Sequence, residues 1–208
     1  MTQGLRALKK QQTRQAISDT ATRLFLERGF EAVTITEIAA AAQVSKMTVT
    51  NYFPRKEDLA LDHHEEFAAC LARTVASRRT GESALDALRR AFRAAVERRD
   101  PLVGFTGAPF ARMVTESPTL TARLRDLHDR REDALAEVLA ADTGATPGDL
   151  TPRAAAAQLA TAHRTLFQHA VDLTLKGFGD RKAAAALNRA AQQVFGLLEG
   201  PLAGYAVR

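Results

Sequence analysis

The chain has 208 residues with 46% hydrophobic and only 6% aromatic content, no tryptophan and a formal net charge of +5, which allows one large helical unit or a small domain joined to a larger one. Its alanine-dominated apolar set favours close-packed helices over a sheet of β-branched and aromatic residues, so the expected fold is all-α. A lone cysteine, Cys70, excludes an intramolecular disulfide framework and a thiolate metal cluster within one chain. Residues 1–14 hold no apolar core of signal-peptide length, and no stretch approaches the ~18 uninterrupted apolar residues of a membrane span. The expectation is a cytoplasmic protein without a membrane partner.

Positive charge gathers at the start, where Arg6, Lys9, Lys10 and Arg14 precede the first acid, Asp19. Such a basic arm can sit against phosphates; a solvated terminus is the competing reading. Over residues 10–28, Ile17, Ala21, Leu24 and Phe25 recur at helical spacing, Gly29 follows where helices usually stop, and Phe30 can fold back on Phe25. Thr34-Ile35-Thr36-Glu37 matches a capping box and opens a second helix to about residue 42. Gln43-Val44 makes a corner, Ser45 is a good N-cap for a third helix through Phe53, and Pro54 ends it. A fourth helix, with Leu59, Phe67, Leu71 and Val75, is predicted to run unbroken over residues 55–79.

After Thr80-Gly81-Glu82, residues 83–99 fit a helix with Leu85, Leu88, Phe92 and Val96 on one face. Residues 105–118, interrupted by Gly107, Pro109 and Pro118, read as a short helix among loops, and 118–141 as a long amphipathic helix. The Gly- and Pro-rich stretch 142–152 is the clearest loop. Two long helices follow, over 151–176 and 180–198, separated by Gly177-Phe178-Gly179. No internal repeat is present.

The third helix is too short to contribute much to a core. At 100° per residue, Lys46, Met47, Thr50 and Asn51 fall on one side, with Val49 and Phe53 on the other. The apolar back can pack on Ile17, Leu24, Ile38 and Val44, while the polar front projects into solvent or a groove. A helix following another across a tight turn, polar near its N-terminus, is the helix-turn-helix arrangement that fits a major groove. The start of the first helix of the pair, with Thr34 and Thr36, favours a phosphate, and Tyr52 and Lys56 could hold the groove's other edge. A plain three-helix corner is the alternative on these grounds alone.

The order and spacing of Phe30, Val33-Thr34, Ile38-Ala39, Val44-Ser45-Lys46, Thr48-Val49, Tyr52-Phe53-Pro54 and Lys56-Glu57-Asp58-Leu59, within residues 13–62, resemble the N-terminal domain of TetR-family transcriptional regulators. The resemblance implies a DNA-binding helix-turn-helix domain with its basic arm over residues 1–55, and a helical ligand-binding and dimerisation domain over 56–208. It implies a recognition helix with Lys46, Met47, Thr50 and Asn51 near base edges. Phosphate contacts would come from Thr34, Ser45, Thr48, Tyr52 and Lys56. A homodimer would present two such helices to a palindrome-like operator in double-stranded DNA. Three positions depart from the common pattern: Gln43 replaces a usual glycine, Met47 a usual glycine or proline, and Thr50 a usual tyrosine.

In the remaining helices, Phe67, Leu71, Phe92, Val96, Phe105, Phe110, Met113, Leu124 and Phe167 could meet as an apolar cavity, with His163 as a polar anchor. For any one of them, plain core packing is the simpler reading. The resemblance implies that a small apolar or amphipathic effector binds there and shifts the spacing of the reading heads through the fourth helix. It further implies that Leu159, Ala162, Leu166, Ala170 and Leu173 of one terminal helix, and Leu187, Ala191, Val194, Phe195 and Leu198 of the other, pair across the two-fold; burial within one chain is the alternative.

Other chemistry is weakly signalled. His63-His64-Glu65-Glu66 lacks the i, i+4 histidines of a helical zinc site, and His128-Asp129 beside Arg130-Arg131 reads as a solvated face. There is no phosphate loop, nucleophile elbow or metal-ligand pattern, so neither an enzyme nor a resident cofactor or metal is expected. The sequence reading is a repressor released from its operator by a small molecule, with a regulator that lacks an inducer as the alternative.

Overall fold

The computed structural model describes residues 2–208, with side chains from residue 7 onward, so the Arg6 side chain of the expected basic arm lies outside the described residues. Among the described residues the structure is all helical, with eleven α-helices, one 3-10 turn and no strand. Two compact units emerge. One comprises the chain up to His64 together with Arg112–Arg123, the other Glu65–Ala111 and Leu124–Arg208.

The first unit contains α1 (Thr2–Arg28), α2 (Ile35–Ala41), α3 (Lys46–Tyr52) and α4 (Lys56–Ala60), with the end of α7 (Ala108–Glu116) and the start of α8 (Pro118–Thr143). Helix α1 packs on α2 and α4, and α2 on α3, around fully buried Ile17, Ala21, Val33, Ile38, Val49, Phe53 and Leu59. Local chemistry sets the helix ends. Gly29 takes a left-handed φ of 86° after α1, as C-terminal glycines do, and the Phe30 ring returns to within 5.0 Å of Phe25. The capping box is formed: Thr34 Oγ1 accepts from the Glu37 backbone N–H at 3.2 Å, and Glu37 Oε2 accepts from the Thr34 N–H at 2.8 Å. Ser45 Oγ accepts from the Thr48 N–H at 3.0 Å.

The predicted fourth helix does not run unbroken. It stops at Ala60 and resumes as α5 (His64–Ala76), because Leu61 leaves helical geometry (φ −106°, ψ 56°) and Asp62 is held by α1. Its carboxylate accepts from Ser18 Oγ at 2.6 Å and its carbonyl from Arg14 at 2.9 Å. Arg14 also lies 4.6 Å over the Phe53 ring. It is thus a structural clamp rather than part of a loose basic arm, while Lys9 and Lys10 stay exposed. Deeper in this unit, Asp58 and Arg123 form a buried ion pair, with Arg123 Nε and Nη2 donating to Asp58 Oδ1 at 3.0 and 2.8 Å.

The second unit adds α6 (Ala84–Arg98), a 3-10 turn at Pro101–Val103, α9 (Thr151–Leu175), α10 (Asp180–Gly196) and α11 (Glu199–Leu202) to the rest of α5, α7 and α8. Helix α10 packs on α9 and α6, and the 3-10 turn on both α9 and α6. Leu88, Phe92, Val96, Leu135, Leu159, Leu166, Leu187 and Phe195 form its apolar centre. Gly104 allows the 3-10 turn to lie directly on α9. Its φ is 103°, and a Cβ there would meet Ala170 Cβ at 2.7 Å. Among the described residues no helix is long and apolar enough to cross a membrane.

Candidate functional site

Helix α3 has an anchored back and an open front. Val49 and the following Phe53 are fully buried, whereas Lys46, Met47 and Asn51 are exposed, Met47 at 69%. Thr50 is half-buried, and its hydroxyl donates to the carbonyls of Met47 (3.1 Å) and Lys46 (3.3 Å), leaving only acceptor capacity for a base.

The expected phosphate-contacting residues differ in availability. Thr36 is exposed and Tyr52 half-buried. The Thr34 hydroxyl donates to Glu37 Oε2 at 2.8 Å, and Ser45 Oγ shares a hydrogen with Thr48 Oγ1 at 2.8 Å. The Arg28 hydrogen bond at 2.7 Å, then that of the Thr34 N–H, holds the Glu37 carboxyl down to about 2. Lys56 is half-buried, its ammonium 4.3 Å over the Phe30 ring and 3.4 Å from the Glu31 carbonyl. Burial lowers its pKa, against the pull of Glu31 and Glu57.

The second unit contains a cavity of about 290 Å³. Of the expected pocket residues, Leu71, Phe92 and His163 line it, together with Cys70, Thr74, Leu88, Val103 and Arg131, among others. Phe67 and Phe167 pack edge-to-face at 5.7 Å, each against the His128 ring. Val96 is core; Phe105, Phe110 and Leu124 are half-buried. Met113 does not join the cavity, because it is buried in the first unit.

The expected solvated face around His128 and Arg131 is overturned. Both are buried, Arg131 to 2% exposure. The Arg131 guanidinium stacks 4.4 Å over Phe67, and its Nη2 lies 3.2 Å from His128 Nδ1. The signal was present in the sequence: Leu120, Leu124, Leu127, His128, Arg131 and Leu135 recur at i, i+3 and i+4, which puts Arg131 on the inward stripe of α8. Burial, then the Arg131 charge, holds both His128 and His163 down to about 3, and burial raises the Cys70 thiol in spite of Arg131.

Of the residues expected at a dimer contact, Leu159, Leu166, Leu173, Leu187 and Phe195 are buried within the single chain. Their apolar surface is already consumed by packing between α9, α10 and the rest of the unit. Val194 and Leu198 are half-buried against that core. The outward faces instead carry Ala154, Gln158, Thr161 and Thr165 on α9, and Ala185, Arg189, Gln192 and Gln193 on α10, with Leu197 following at 81% exposure. Among the described residues no group of three or more His, Cys, Asp or Glu side chains is placed to hold a metal ion.

Known proteins match this arrangement. The family model of bacterial regulatory proteins, tetR family, matches residues 17–62. The HTH-type transcriptional regulator TcmR of Streptomyces glaucescens is 34% identical over 156 residues, which covers 72% of this chain and 69% of that relative. The HTH-type transcriptional repressor DhaR of a Mycobacterium strain is 38% identical over 64 residues, 31% of this chain and 32% of the relative. Native NalD of Pseudomonas aeruginosa has the same fold at a TM-score of 0.57 and 20% identity, over 92% of this chain and 98% of that one. The SmeT–triclosan complex aligns at a TM-score of 0.56 and 19% identity, over 90% of each chain. The chain therefore belongs to the TetR family of DNA-binding transcriptional regulators, and its activity is regulation of transcription rather than catalysis.

Proposed function

We propose that the chain acts in the cytoplasm as a homodimeric repressor that occupies a palindrome-like operator through α3 and leaves it when a small molecule enters the cavity of the second unit. The observation that carries this reading is α3 itself: a seven-residue helix with a buried apolar back and an exposed front of Lys46, Met47 and Asn51. Lys46 and Asn51 are the base-reading residues, with Met47 as an apolar contact and Thr50 as an acceptor. Thr36, Tyr52 and Lys56 bind phosphates more readily than Thr34, Ser45 and Thr48, whose hydroxyls are engaged in caps. The outward faces of α9 and α10 form the dimer contact.

Repression agrees with the relative DhaR, a transcriptional repressor, and an effector with the fold shared with SmeT in its triclosan complex. Occupancy of the cavity lowers DNA affinity by a coupling free energy, and DNA lowers effector affinity by the same factor.

The test is selection of binding sites from random duplex DNA, followed by an anisotropy titration of the winning sequence at two salt concentrations. A palindromic consensus bound with a steep salt slope is expected, since phosphate neutralisation releases counterions. Failure to enrich a sequence, or binding indifferent to salt, would overturn the reading.

A further inference from the structure

The cavity contains a buried positive charge that no described carboxylate pairs with. Arg131 is 2% exposed, and among the described residues no carboxylate forms an ion pair with it. Its Nε has no hydrogen-bond partner, and the guanidinium meets the Phe67 face, His128 Nδ1 and the Cys70 thiol. That thiol stays protonated, because burial raises its pKa. The two carboxylates on the cavity lining each lie near another arginine: Glu66 is 4.0 Å from Arg73, and Asp100 3.5 Å from Arg98. A second buried polar atom on the lining, His163 Nε2, also lacks a partner, and its ring stands edge-on to Phe92 at 5.6 Å.

An arginine keeps its charge in a protein, and burying an ion without compensation is costly. An apolar residue of similar volume would remove that cost, so retaining an arginine at this position makes chemical sense if the missing counter-charge arrives with the ligand. A guanidinium presents parallel N–H donors that fit a two-oxygen anion. The lining also carries an apolar share, Leu71, Leu88, Phe92 and Val103, beside polar Thr74 and Ser77.

We propose that the effector is an aromatic organic acid: a flat apolar body carrying one carboxylate or ionised phenol, whose oxyanion pairs with Arg131 and accepts a hydrogen bond from His163 Nε2 in the tautomer protonated there. The inference rests on the reading of the second unit as the effector-binding part and adds the ligand's charge and shape to it.

The experiment is calorimetric titration of the full chain with 2-naphthoate and with its uncharged counterpart 2-naphthamide, repeated with Arg131→Gln and Arg131→Lys. The wild-type protein should bind the acid at least about tenfold more tightly than the amide, a difference of about 1.4 kcal/mol. Arg131→Gln should erase that preference and Arg131→Lys should keep part of it. The wild-type comparison stands even where a variant fails to fold. Equal binding of acid and amide, a preference that survives Arg131→Gln, or binding of neither probe would overturn the inference. Screening uncharged compounds for release of DNA separates the two failures. Release by such a compound leaves the ligand-responsive reading standing without the acid, whereas no release by acids or neutral compounds removes both.

Discussion

Gln43 makes the corner between α2 and α3 at a φ of 57°, in the left-handed region where an L side chain costs about 1–2 kcal/mol. Glycine pays no such cost but loses about 0.5–1 kcal/mol through its freedom in the unfolded chain. The first effect exceeds the second, so Gln43→Gly should stabilise the protein by about 0.5–1 kcal/mol in urea unfolding; a loss of stability would mean that the glutamine side chain holds the corner by contacts of its own. On α3, the Thr50 hydroxyl gives its hydrogen to its own helix, and the exposed Asn51 is better placed for two-sided pairing with an adenine edge. Asn51→Ala should therefore cost about 1–3 kcal/mol on the selected operator and little on random DNA, with Thr50→Ala altering preference among operators more mildly. Lys56→Ala should weaken both kinds of DNA alike and reduce the salt slope by about 1. Anisotropy titrations on both duplexes decide it: equal losses on specific and random DNA for all three variants would contradict the division between base and phosphate contacts.

Helix α4 and the start of α8 meet within the first unit through the Asp58–Arg123 pair, both side chains about 5% exposed. Removing one member of a buried pair costs about 3–5 kcal/mol, whereas replacing both by apolar groups is often near neutral. Asp58→Ala should thus lower unfolding free energy by about 3 kcal/mol or more, and the double change Asp58→Leu with Arg123→Leu by much less; a loss below about 1 kcal/mol for Asp58→Ala would show that the pair is not a structural tie. The same unit shows what a sequence can and cannot disclose. Its caps and stops were legible because their partners lie three to five residues apart: Thr34 with Glu37, Ser45 with Thr48, Phe25 with Phe30. The break between α4 and α5 was not, because Asp62 is held by Ser18 and Arg14, 44 and 48 positions away, and no local pattern encodes them. In α8 the obstacle was different. The periodic stripe pointed inward at Arg131, but a charged residue among charged neighbours looks like surface, and its burial comes from partners far along the chain, the Phe67 ring and Cys70. The leucines of α9 and α10 carry one helical period whether they face their own core or a second copy, so burial alone could separate those readings.

The burial that shapes the cavity also links the folding of the chain to pH. His128 and His163 are each held down to about 3, by desolvation first and the Arg131 charge second, against an ordinary histidine value of about 6.5. Both are therefore neutral in the folded chain across the range where the unfolded chain takes up protons at them. When the unfolded state binds more protons, stability rises with pH. The contribution is complete above about pH 6.5 and is lost progressively as pH falls from there towards about 3. Between about pH 7.5 and 5 the loss amounts to about 2 kcal/mol for each histidine. Glu37 and Glu82, held down to about 2 by Arg28 and Arg90, lose their contribution mainly below the ordinary carboxylate range, so this window isolates the histidines. Urea unfolding at fixed protein concentration, which keeps any dimer contribution constant, should give a clearly lower stability at about pH 5 than at about pH 7.5, and the double variant His128→Asn with His163→Asn should flatten the difference. Equal stability at the two pH values in the wild-type chain, or an undiminished fall in the double variant, would mean that these rings reach solvent or a proton partner in the folded protein and are not held neutral around the cavity.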